Sequence, residues 1–93
     1  MIALKFDGFI ESEGSLSSFT ADISGPHITS EKDYFYEVHA PFFFAQNKKI
    51  YGADGEQAKR LAVQFLISLI GPRHLYDSQS KRVEPENEWT KHI

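Results

Sequence analysis

Glu37 and His39 are the side chains of this sequence best spaced for joint chemistry. Two apart in an extended segment, they share a face, so a carboxylate and an imidazole could hold one ion or move one proton. Further metal ligands would have to come from His27, His74, Asp77 or a loop carboxylate. No H-x-H, H-x-x-x-H or H-E-x-x-H spacing sets a metal geometry, so no metal ligand is assigned. With Tyr36 beside them, Tyr36, Glu37 and His39 form a candidate ligand-binding group, at the mouth of a pocket between a helix and the aromatic strand. Unassisted, the same residues are the polar face of a half-exposed strand.

Other chemistry is thin. Ser15, Ser17, Ser18, Ser68, Ser78 and Ser80 supply hydroxyls, but none stands in a G-x-S-x-G or S-x-x-K arrangement. The six glycines are scattered singly at expected turns and helix ends, never as a phosphate loop. With no cysteine, a disulfide scaffold, a thiol nucleophile and a cysteine zinc site are excluded. No catalytic set is assigned and no cofactor is called for.

Charge narrows the partners. Thirteen acidic against ten basic residues leave a formal net charge of −3, and the basic pairs Lys48-Lys49, Lys59-Arg60 and Lys81-Arg82 each lie near an acid. That footprint argues against a nucleic-acid partner, whose phosphates need clustered cations. The aromatic runs Tyr34–Tyr36 and Phe42–Phe44 could stack bases, but Asp33 and Glu37 frame them where a base-stacking platform has cations. The start of the chain alternates apolar and polar residues instead of forming a secretory leader. The longest apolar segment, Leu61–Ile70, falls well short of the roughly 20 residues that span a bilayer. The expectation is a cytoplasmic protein without membrane association.

The elements that must position these residues follow from periodicity. Ile2, Leu4, Phe6 and Ile10 alternate with polar neighbours, and so do Phe19, Ala21 and Ile23. A turn at Glu11–Ser15 makes them a hairpin, ended by Ser24-Gly25-Pro26. Tyr34–Phe44 is the most β-prone run. At about 3.3 Å per residue it would be about 36 Å long, against a sphere about 32 Å across, so it must bend near Pro41 or protrude. Lys49–Tyr51 reads as a fourth strand. Asp54 and Gln57 form a capping box, and Gly71-Pro72 a stop, around a helix over 54–70. Its expected buried stripe is Ala58, Leu61, Ala62, Phe65, Leu66, Leu69 and Ile70, with Val63 and Ile67 outside it.

The predicted fold is therefore α+β: an antiparallel meander of about four strands with one helix on a face, forming a single domain over residues 1–72. Residues 73–93 read as a polar segment. Its end is either a short helix docking through Trp89 and Ile93, or a frayed tail. The surplus of apolar positions on the strand and the last helical turns, Phe35, Phe43, Val63, Ile67 and Ile70, predicts a non-catalytic interaction module of accessory, regulatory or immunity type. The predicted assembly is a homodimer.

One longer pattern runs Phe19-x-x-x-Ile23-x-x-Pro26, an aromatic strand near Tyr34–Val38, then Ile50-x-Gly52-x-Asp54-x-x-Gln57-Ala58-x-x-Leu61-Ala62, ending near Leu69. It resembles a family of small uncharacterised bacterial proteins classed as a domain of unknown function. The resemblance spans residues 19–70 and implies the strands-then-helix order and a bacterial origin, with no activity attached.

Overall fold

The protein is described by a computed structural model covering residues 1–92. Alternation builds the first two strands, β1 (Ile2–Ser12) and β2 (Ser15–Ile28), joined by a tight turn at Glu13-Gly14. Both turn residues have positive φ, 53° and 81°, the geometry that matches strand twist in a short hairpin. β3 (Tyr34–His39) pairs with β2, and β4 (Lys48–Gly52) with β3. Helix α1 (Gly55–Ile70) then crosses one face of the sheet, against β2, β3 and β4.

The sheet has six antiparallel strands, not four, in the order β4-β3-β2-β1-β5-β6. The extra pair, β5 (His74–Asp77) and β6 (Arg82–Val83), comes from the segment read as a polar loop and docks on β1 through β5. Strands of four and two residues are too short to leave an alternating signature. Asp77 makes the turn between them, its Oδ1 accepting from the amides of Gln79 and Lys81, both at 2.9 Å.

The aromatic run bends where proline stands. β3 stops at His39, and the amides of Phe43 and Phe44 turn back to the Ala40 carbonyl. Phe43 therefore does not share a face with Phe35. It packs edge-on against Phe19, on the helix side, with centroids 5.8 Å apart.

Helix capping is as the sequence predicts: Asp54 Oδ1 accepts from the Gln57 amide at 2.8 Å, and the Gly71 amide closes on the Ile67 carbonyl. The buried stripe, however, is rotated. Ala58, Ala62, Val63, Leu66 and Ile70 are buried, whereas Leu61 is exposed. At 100° per residue the centre of this set lies about 140° from Leu61. Val63 and Ile70 are core residues of the single chain, and Ile67, Phe65 and Leu69 sit half-buried at its margins. Gly52 allows the tight strand-to-helix contact: a Cβ there would lie 2.4 Å from the Ala58 nitrogen.

The core is one layer between sheet and helix. Leu4, Phe6, Ile10, Phe19, Ala21, Ile23, Tyr36, Val38 and Leu75 point into it. Beyond the reach of α1, the chain end covers β1. A short helix α2 (Pro85–Glu88) and a 3-10 turn (Thr90–His92) bury Trp89 against Phe6, 5.8 Å between centroids. Ile93, expected beside Trp89, lies outside the described residues.

Candidate functional site

The face of the sheet opposite α1 has no covering layer among the described residues. Strand parity decides what it displays. Residues paired with Glu37 and Phe35 across β2, β3 and β4 share their face, which gives Ser24, His27, Lys49 and Tyr51. On β1 the same face shows Ile2, Lys5, Asp7, Phe9 and Glu11, and Tyr76 follows on β5.

His27 is there because of a bulge. Strict alternation from Ile23 and Gly25 would aim it at the core. Between Ser24 and His27, β2 carries one residue more than β3, so His27 comes opposite Phe35. Gly25 makes the bulge possible, with φ +152° and the Tyr36 ring where a side chain would stand.

Phe35 is the centre of the resulting cluster. The His27 ring stacks on it at 4.9 Å, the Tyr51 ring lies 5.2 Å away, and Lys49 Nζ sits 5.1 Å from the ring centroid. Beside it runs a polar chain. His39 Nδ1 and Asn47 Oδ1 are 2.8 Å apart, and Asn47 Nδ2 donates to Glu37 Oε2 at 3.4 Å. His27 Nε2 lies 3.8 Å from Glu37 Oε1, close enough for an ion pair when the imidazole is protonated but too long for a hydrogen bond. That nitrogen is shielded from solvent and has no hydrogen-bond partner.

The structure thus brings Glu37 and His39 together and separates Tyr36 from them. Tyr36 points to the opposite face and is buried under α1, where loss of solvent pushes its phenol pKa up. Tyr36 therefore does not share a face with Glu37 and His39. Of the expected contact residues, Phe35 lies on the open face, whereas Phe43, Val63, Ile67 and Ile70 belong to the helix side. Asn47, Lys49 and Tyr51 are not singled out by the sequence, which offers His27 only as one of several further ligands and does not place it on Phe35. A Gly-Pro pair inside an otherwise regular strand was the available signal for His27.

A second apolar patch lies at the other end of this face. Phe9, Leu16 and Tyr76 line a shallow hollow of about 260 Å3, and Leu16 is 60% exposed. From Ser18, opposite Phe9, to His27, opposite Phe35, is about 25 Å along the strand. Between the patches the charges alternate in sign: Lys5 pairs across strands with Asp22, and Glu37 with Lys49. Among the described residues, no three His, Asp or Glu side chains converge to hold a metal ion. No helix among the described residues is long and apolar enough to cross a membrane.

No protein-family model, curated protein or solved structure matches the chain.

Proposed function

We propose that this protein is a non-catalytic interaction module that pairs with a second copy through the helix-free face of its sheet. One observation carries the reading: among the described residues a six-stranded sheet is covered by α1 and Trp89 on one side only, and the other side carries exposed Tyr51 and Leu16 and half-buried Phe35, Phe9 and Tyr76. Sheet faces that carry aromatic side chains gain most by packing on another sheet, about 10 Å away. The interleaved charges favour a second copy, since a field of one sign would repel its own image. Val63 and Ile70, expected at the interface, have no part in it, because they fill the core of one chain.

Analytical ultracentrifugation at micromolar concentration tests the reading. A species of twice 10.6 kDa is expected. The double variant Phe35→Glu, Tyr51→Glu should sediment as a monomer with an unchanged circular dichroism spectrum. A wild-type monomer at about 100 μM, where even weak specific pairs form, removes the proposal.

The Glu37–Asn47–His39 chain favours one alternative, a small polar ligand held on the same face of a monomer. Ligand-screening NMR separates the two: resonance shifts confined to residues 37, 39 and 47 in a monomer support the ligand reading.

A further inference from the structure

β1 is an interior strand for only part of its length. β5 pairs with it over Gly8–Glu11 and stops, so no described strand lies along that side of Ile2–Asp7. Ile2, Ala3, Leu4, Lys5 and Phe6 all line a groove of about 640 Å3 at this place. Past a register shift of β1 between Ile2 and Leu4, Leu4 and Phe6 face the helix side and Lys5 the other, so these three can border one groove only through the strand edge. The opposite bank of the groove includes Arg82, Val83 and Trp89.

We propose that this notch receives an extended peptide of a partner protein, added as a seventh strand beside Ile2–Asp7 and alternating apolar with acidic side chains. Unpaired backbone groups along a strand edge are a template for another chain. The apolar side chains of the guest would meet Leu4, Phe6, Val83 and Trp89, which face the helix side. Its acidic side chains would fall on the opposite face beside Lys5 and Arg82, which strand pairing places there, and the groove lining as a whole carries three cations, Lys5, Lys81 and Arg82, against two acids, Asp77 and Glu88. The two outer edges of the sheet suit this role less: β4 begins with Lys48 and Lys49, and β6 has two residues. A second copy fits the notch poorly. Antiparallel self-pairing about Lys5 sets two lysines opposite each other, and a longer overlap runs into β5 at Gly8.

The test uses the full chain and capped heptapeptides alternating glutamate and valine. NMR amide shifts should cluster at Ala3–Phe6, and the emission of Trp89, the single tryptophan, should change on binding. A dissociation constant of the order of 100 μM is expected for so short a strand. Two N-methylated peptides, blocked at alternate amides and offset by one residue, should behave differently: one binds and the other does not. The exposed double variant Lys5→Glu, Arg82→Glu should bind roughly tenfold more weakly. The proposal is overturned by no saturable shift at about 5 mM peptide, or by equal binding of both N-methylated forms. Equal binding of a lysine–valine peptide, shifts centred on Phe35 and Tyr51, or peptide-free dimers protected at Ala3–Phe6 would overturn it too. The notch shares Ile2, Lys5 and Arg82 with the open face but none of the aromatic side chains on which pairing of two copies rests, so dimerisation can fail while peptide binding stands.

Discussion

At the scale of single residues, parity and one extra residue decide the chemistry. Glu37 and His39 share a face, and Tyr36 the other, by alternation alone; that much is legible from the sequence. The stacking of His27 on Phe35 is not, because it depends on a bulge whose position follows from tertiary packing of the Tyr36 ring over Gly25. Tyr36 also carries a pH dependence. Its folded pKa is raised above the ordinary tyrosine value of about 10, so the folded state keeps the proton longer than the unfolded chain. Its contribution to stability is complete below about pH 10 and declines as the pH rises through the folded value. Urea unfolding at pH 8 and pH 11 should show this alkaline loss, and Tyr36→Phe should reduce it. Gly25→Ala should destabilise the fold by about 1–3 kcal/mol, since the new Cβ would sit 2.9 Å from the Tyr36 ring at φ +152°. Thermal denaturation measures that cost.

At the scale of elements, legibility follows length. Sixteen residues of α1 with a cap, a stripe and a stop leave a strong imprint, whereas β5 and β6 are stabilised by the pairing they make with β1 and with each other. Helical periodicity fixed that a face was buried but not which tilt of the stripe met the sheet, and Val63 took the place expected of Leu61. The two positions should therefore respond in opposite ways. Val63→Glu puts an unpaired charge into the core and should abolish cooperative folding, while Leu61→Glu should leave the melting curve within about 0.5 kcal/mol of wild type. Asp54→Ala removes the acceptor for the Gln57 amide and should cost about 1 kcal/mol in urea denaturation.

At the scale of the molecule, shape bears on association. A chain of this length folded to a sphere has a radius of gyration of about 12 Å; this one measures 13.5 Å and extends 45 × 27 × 21 Å, because the β1–β2 hairpin is long. Its accessible surface, 5891 Å2, exceeds the roughly 5500 Å2 typical of a monomer this size. With a single layer of core, the ends must be closed individually, and Trp89 closes the one over Phe6. Trp89→Ala should cost about 3–5 kcal/mol, a large share of what so small a domain has, and lower the melting temperature by more than about 10 °C.

The bulge at Gly25-Pro26 has a last consequence, for insertions and deletions over evolutionary time. Excising Pro26 alone would remove the extra residue and restore plain two-residue periodicity, with Gly25 opposite Tyr36 and position 27 still opposite Phe35, so a descendant lacking that residue should keep a water-facing side chain where this chain has histidine.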